Sequence, residues 1–187
     1  DSVSIIDLET LTLTRTISVD GQKETDPARR GEQFFYSGKL SFSGQFSCAS
    51  CHPEGGSDGL NWDLPADGFN NFHNTKSLLS AAGTEPYGWY GESPSLRERF
   101  EGTLRGLFQH VPTEEESDAL EAYLKALKFP KVVQETANSE EIERGKAIFV
   151  GSGGCAVCHS GERMMDGLAH AIRGTGGGEM DTPSLSR

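Results

Sequence analysis

All four cysteines fall, with two of the five histidines, into a pair of five-residue units, Cys48-Ala49-Ser50-Cys51-His52 and Cys155-Ala156-Val157-Cys158-His159. Two thiols at this spacing reach the two vinyl groups of one porphyrin, and the adjoining histidine can turn its imidazole onto the iron, so C-x-x-C-H is the pattern of covalent c-type haem attachment. On this reading Cys48, Cys51, Cys155 and Cys158 form thioethers, His52 and His159 are proximal ligands, and the chain carries two covalently bound haem c groups. The same cysteines admit two other readings, a single zinc held by both C-x-x-C pairs or a thioredoxin-like dithiol. The histidine after each second cysteine, and the similar helical lead-in before each motif, favour haem.

The remaining side chains decide what each iron does, because an iron with two strong axial ligands carries electrons whereas one with an open face can do chemistry. His73, His110 and His170 are the histidines left over, and Met164, Met165 and Met180 offer thioether sulfurs. His73 and Met180 stand at the same offset after their motifs, so both are candidate iron ligands. His110 is a candidate distal ligand or acid–base residue, against a plainer role as a helix-end histidine bonded to backbone.

These residues need elements to hold them. Residues 3–19 alternate apolar and polar on either side of a break at residues 7–10, which predicts a β-hairpin, and residues 20–26 read as a linker. Asp26 caps a helix with Pro27 at its first position, and Phe34-Phe35 on that helix are placed to pack on a porphyrin. Ser93-Pro94 opens another helix running to Phe108, and Thr113-x-x-Glu116 is a capping box ahead of an amphipathic helix that Pro130 stops. A further helix begins near Asn138 and carries Ile142, Ile148 and Phe149 toward the second motif. The glycine-rich stretches 53–72 and 160–180 read as haem-covering loops.

The lead-ins repeat, Arg30-Gly31-x-x-Phe34-Phe35 against Arg144-Gly145-x-x-Ile148-Phe149, and so do Thr75-x-Ser77-Leu78 and Thr182-x-Ser184-Leu185, each pair at one offset from its motif. The fold class that follows is mainly α, with two cytochrome c-like haem domains in tandem behind an N-terminal β-hairpin: residues 1–25, 26–137 and 138–187. The second copy stops two residues past Leu185 and reads as incomplete.

The formal net charge is −11, from 17 basic and 28 acidic residues, before any haem propionate is counted. Such a surface disfavours nucleic acid and anionic membranes as partners and suits a positively charged redox protein. No apolar run is long enough for a membrane span or a signal-peptide core, so the chain reads as a mature product or an excised piece.

With its two C-x-x-C-H motifs, Asn74-Thr75-x-Ser77-Leu78, Pro86-Tyr87-Gly88-Trp89-Tyr90-Gly91 and Asp181-Thr182-Pro183-Ser184-Leu185, the chain resembles the bacterial di-haem cytochrome c peroxidase family, including its relative that matures a tryptophan-derived cofactor. The resemblance covers roughly residues 26–187. It implies a periplasmic oxidoreductase that reduces hydrogen peroxide with electrons from a small redox protein, a cytochrome c or a cupredoxin, and it is compatible with a homodimer. It puts the peroxidatic iron over His52, the electron-entry iron over His159, and a relay tryptophan, here Trp89, between them.

The resemblance also gives His170 a hydrogen bond to a propionate, and makes Asn74 the side-chain ligand of a structural calcium completed by carbonyls near Thr182-Pro183. This chain departs from the pattern where the family keeps its catalytic glutamate, since Gln109-His110 stands there instead. A loop histidine that many members carry before Asn74 is absent, as is the A-P-Y-x-H-D-G segment that follows the last motif. The hairpin at residues 3–19 resembles the last strands of a YVTN-type propeller blade. Two other functions remain open at this stage: a non-catalytic di-haem electron-transfer cytochrome, and the haem module of a propeller fusion that oxidises a protein partner or acts as a sensor.

Overall fold

The computed structural model describes residues 2–19, 26–64, 69–130, 138–172 and 178–185. The hairpin forms as expected, with β1 (Ser2–Asp7) antiparallel to β2 (Thr12–Ser18) and a register shift between Ile5 and Ile6. Asp7 Oδ1 closes the turn by accepting the Glu9 and Thr10 amides at 2.8 and 2.9 Å. The hairpin keeps its apolar side chains in water, Val3, Ile6, Leu13 and Val19 all lying more than half exposed. Two strands alone have no second layer to bury them against. Of the linker at 20–26, only Asp26 lies among the described residues.

The core is built by three helices. α1 (Pro27–Tyr36) begins at the proline as expected and packs along α4 (Glu114–Ala126), whose N-terminus carries the reciprocal Thr113/Glu116 capping box. Gly31 permits the approach, because a Cβ there would sit 1.9 Å from the Ala119 carbonyl oxygen. Between these helices Phe35 is only 1% exposed, its ring 5.1 Å from that of Tyr123. Phe35 therefore serves the protein core and not a porphyrin face, while Phe34 packs beside it under the Arg30 guanidinium.

α3 (Leu96–Gly106) starts two residues later than Ser93-Pro94 suggested, because Ser95 is the cap whose hydroxyl accepts the Glu98 amide. It adds Leu104 to the core, with Phe108 just beyond its end and Leu120 and Leu124 facing from α4.

The first motif forms the single-turn α2 (Cys48–Cys51), closed by a Ser47/Ser50 capping box. α5 (Ser139–Val150), capped by Asn138, leads into a 3-10 turn at Cys155–Val157 that carries the second motif. No residue of α5 is buried, and Ile148 and Val150 are 58% and 72% exposed.

The glycine-rich stretches are not plain loops. Each folds back into a short antiparallel hairpin, β3 (Asn61–Asp63) with β4 (Phe72–Asn74), and β5 (Ala169–Ala171) with β6 (Glu179–Asp181). Among the described residues the architecture is mixed, with 36% helix and small two-stranded sheets beside the helices that periodicity suggested. The two hairpins share one register: Trp62 pairs with His73 as His170 pairs with Met180, and Asn61 with Asn74 as Ala169 with Asp181. The stretch 131–137, where the sequence divides its two halves, lies outside the described residues.

Candidate haem sites and the residues between them

Both motif histidines are held the same way. His52 Nδ1 lies 3.2 Å from the Gly56 carbonyl and His159 Nδ1 lies 3.0 Å from the Met164 carbonyl. A ring whose Nδ1–H donates to a carbonyl keeps Nε2 as the free base for a metal. Burial pushes the His52 imidazole below the ordinary histidine range, toward the neutral form that ligation requires. Burial also pushes the Cys48 thiol up to about 12 and raises that of Cys51. That is opposite to the lowered thiol pKa of a thioredoxin-like nucleophile. Among the described residues the one trio of side chains close enough to share a metal is Cys158, Asp166 and His170, so the two C-x-x-C pairs do not converge on a common zinc.

The surroundings of the second motif fit a large apolar group. A cavity of about 480 Å³ lies between Phe149, Val150, Ala156, His159 and Met164. A second, of about 390 Å³, is lined by Trp89, Cys155, Cys158, His159, His170 and Met180 among others. Both touch the His159 ring and both walls are mainly apolar, as a porphyrin site requires. The exposed Val150 of α5 lines the first cavity and is what such a group would cover.

A further internal correspondence appears behind each motif. Asp58 Oδ1 accepts the Leu60 amide at 2.9 Å and its Oδ2 accepts the Trp62 indole N–H at 2.9 Å. In the second copy Asp166 Oδ1 accepts the Leu168 amide at 3.1 Å and its Oδ2 lies 2.7 Å from His170 Nε2. The backbone amides of Thr75 and Thr182 then donate to the Leu60 and Leu168 carbonyls, each at 3.1 Å.

Trp62 is thus the structural twin of His170. Sequence reasoning missed Asp58, Trp62 and Asp166, although Asp58-Gly59-Leu60 and Asp166-Gly167-Leu168 repeat the same tripeptide with both glycines at positive φ. The second Asp stands one residue further from its motif, so a comparison at fixed offset passes over it. The Leu60 amide chiefly holds Asp58 below the ordinary carboxylate range. Burial raises Asp166, but the hydrogen bonds from His170 and the Leu168 amide outweigh it and the net shift is downward.

Trp89 sits at the tip of a turn pinned by reciprocal Tyr87–Ser93 backbone hydrogen bonds of 2.8 and 3.0 Å, with Gly88 and Gly91 at φ of 100° and 66°. Its indole N–H donates to the Asn74 carbonyl at 3.1 Å, and its own carbonyl accepts the Asp181 amide at 2.9 Å. Asn74 and Asp181 are equivalent residues of the two hairpins, so the tryptophan is gripped by the same position of both copies. The ring also stacks on His73, centroids 5.3 Å apart at 18°. His73 Nε2 lies 2.9 Å from the Tyr90 hydroxyl, which also accepts from Asn71 Nδ2 at 2.6 Å. Met180 lines the cavity at His159, across the strand pair from His170.

Lys76 connects the halves. Its Nζ donates to the Gly88 carbonyl at 2.7 Å, lies 3.4 Å from Asp181 Oδ2 and sits 4.7 Å from the Trp89 ring centroid. Burial lowers the lysine and raises the Asp181 carboxyl, and each is opposed by the partner's charge. Asp181 is 6% exposed, and its Oδ1 has no hydrogen-bond partner among the described residues.

His110 follows α3, its amide donating to the Leu104 carbonyl at 2.9 Å. Its Nε2 is 3.0 Å from Glu116 Oε2, and the preceding Gln109 is held at φ 53°. The carboxylate beside His110 is therefore Glu116, supplied from the capping box of α4. Reading Glu116 only as a helix-start signal concealed it.

A family profile described as "Di-haem cytochrome c peroxidase" matches residues 26–149. The hydrazine synthase subunit gamma of Kuenenia stuttgartiensis is 30% identical over 157 residues, 75% of this chain and 44% of the relative. The methylamine utilization protein MauG of Methylophilus methylotrophus is 27% identical over 79% of this chain and 56% of its own length. A cytochrome-c peroxidase of Denitromonas iodatirespirans is 24% identical over 80% and 50% respectively.

The chain thus spans about half the length of these relatives. Among solved structures, Kuenenia stuttgartiensis hydrazine synthase superposes with a TM-score of 0.74 at 23% identity, covering 88% of this chain and 72% of that one. A MauG-like protein associated with microbial copper homeostasis gives 0.63 at 16% identity, covering 90% and 69%. With the profile match extending over well more than half of its residues, the chain belongs to the di-haem cytochrome c peroxidase family.

Proposed function

We propose that this chain is a di-haem c-type cytochrome, with its haem domains in tandem, that acts as a periplasmic peroxidase-like oxidoreductase. Electrons from a small redox protein enter at the second haem and pass through Trp89 to the first, where hydrogen peroxide is reduced. The observation that carries the reading is the double anchorage of Trp89, its indole N–H on Asn74 of the first copy and its carbonyl on Asp181 of the second. Bound at each C-x-x-C-H motif, haem supplies an iron that exchanges electrons and, with an open position, binds peroxide.

The protein's own residues supply the rest. His52 and His159 present Nε2 with Nδ1 fixed on a carbonyl, which orients each ring. Conversion of one hydrogen peroxide to two waters takes two electrons and two protons; the donor protein supplies the electrons, solvent supplies both protons, and His110 hydrogen-bonded to Glu116 is the pair that would relay them. A surface of net charge −11 suits a basic donor such as a cytochrome c or cupredoxin.

Trp89→Phe tests the reading, because it keeps an aromatic ring but removes the indole N–H to Asn74. In the haem-loaded chain both haem spectra should stay as they are while electron transfer from the second to the first slows. Unchanged transfer kinetics would return Trp89 to a packing role.

A second reading, a haem module within a larger assembly, draws on the exposed apolar hairpin β1–β2 and on the similarity to a hydrazine synthase subunit. Under it, peroxide would leave both haem spectra unchanged.

A further inference from the structure

Asn74, the side-chain ligand that the resemblance gives a structural calcium, is tied to its neighbours through its amide nitrogen and its main-chain carbonyl. Asn74 Nδ2 donates to the Leu60 carbonyl at 3.2 Å, and the Asn74 carbonyl accepts the Trp89 indole at 3.1 Å. Calcium needs six to eight oxygen ligands drawn in close around it. Two residues after Asn74, the Lys76 ammonium already occupies the junction of the two copies. It has three donors and spends them on a compact set of acceptors: the Gly88 carbonyl at 2.7 Å, Asp181 Oδ2 at 3.4 Å and the Trp89 π-face at 4.7 Å.

Both sides of that set are fixed. Gly88 belongs to the Trp89 turn of the first copy, and Asp181, with its side chain 5% exposed, ends β6 of the second. In the repeat Lys76 corresponds to Pro183, so the charge is supplied by one copy only and reaches across to the other. A dication added beside a fixed ammonium would meet repulsion from it, whether it displaced the ammonium from Asp181 Oδ2 or approached the open Oδ1.

We propose that the Lys76 ammonium is the resident cation of this junction, holding Asp181 of the second copy against the Trp89 turn of the first so that the halves dock without a divalent metal ion. The proposal does not rest on peroxide chemistry, and its test reads none.

The haem-loaded chain is compared in EDTA and in millimolar calcium chloride, by thermal midpoint and by hydrogen exchange at the Asp181 amide, whose acceptor is the Trp89 carbonyl. The wild type should give the same midpoint and the same exchange rate in both. Lys76→Met should make the Asp181 amide exchange about tenfold faster while the core amides of Leu120 and Leu124 keep their protection, and Lys76→Arg should recover most of the loss. A wild-type midpoint raised by calcium, or Asp181 exchange slowed by it, would mean that a metal ion bridges to the open Asp181 Oδ1 and would overturn the proposal. Exchange unchanged in Lys76→Met would overturn it as well. If Lys76→Met fails to fold, the comparison of EDTA with calcium on the wild type still decides.

Discussion

Gly31 and Gly145 open the two repeated lead-ins at the same position, and the structure gives them opposite roles. A Cβ at Gly31 would lie 1.9 Å from Ala119 O, 2.5 Å from Ala119 C and 2.7 Å from Tyr123 Cβ, whereas one at Gly145 would meet nothing within 4 Å. At Gly31 the nearest obstacle is backbone, about 1.5 Å short of the 3.4 Å at which ordinary contact begins, so α1 and α4 must separate. Overpacking of this kind costs about 1–3 kcal/mol, and alanine's better helix propensity returns at most about 1 kcal/mol.

Gly31→Ala should therefore lose about 1–2 kcal/mol, roughly five- to thirtyfold in the folding equilibrium, while Gly145→Ala should be neutral or gain up to about 1 kcal/mol. Urea unfolding of the haem-loaded chain, followed by far-UV circular dichroism, measures both. The loss at Gly31 should extend to the site, because α1 also touches α2, which carries the first motif. A Gly31→Ala variant as stable as the wild type would refute the packing argument. A Gly145→Ala variant as damaged as Gly31→Ala would show that a group bound in the cavity beside His159, which Gly145 lines, presses on that position.

Three further outcomes are expected. The denatured chain should exceed its peptide mass by two haem groups, with neither removed by acid or solvent extraction; a bare peptide mass would end the c-type reading. His110→Gly should slow peroxide cleavage without changing iron coordination, since Nε2 is already committed to Glu116 at 3.0 Å; a new high-spin signal in the mutant would instead make His110 a distal ligand. Burial raises Glu116, but the Thr113 amide and His110 outweigh it and hold its folded pKa below the usual 4.5. The stability that this gives is present above the unfolded value and lost as pH falls through the folded one. Glu116→Gln should flatten that part of the acid limb in urea unfolding, and an unaltered limb would show that Glu116 contributes nothing to it.

The parts of this molecule that were legible in its sequence are those where chemistry or geometry permits few alternatives. A helix start leaves amides that need partners and favours proline at its first position, so Thr113-x-x-Glu116 located the start of α4 and Pro27 that of α1 to the residue. Phe34-Phe35 shows the limit of the same method, because porphyrin and protein core are equally apolar. Only the approach of α4 at Gly31 assigns Phe35 to the core. The short hairpins β3–β4 and β5–β6 were hidden for another reason: three-residue strands carry too little alternation to register against a glycine-rich background.

The repeat was visible, but its meaning lay in where the copies differ. Asn74 and Asp181 occupy one structural position with different side chains, and Trp89 bonds to the backbone of both. The neutral Asn74 side chain stays with its own strand pair, bonding Leu60, whereas the charged Asp181 draws Lys76 across from the first copy. The second difference, Lys76 opposite Pro183, supplies the charge that the first requires. Two copies of one unit would otherwise meet Trp89 through equivalent backbone contacts; these two substitutions give the junction a direction, with the ammonium on the side of the His52 copy and the buried carboxylate on the side of the His159 copy.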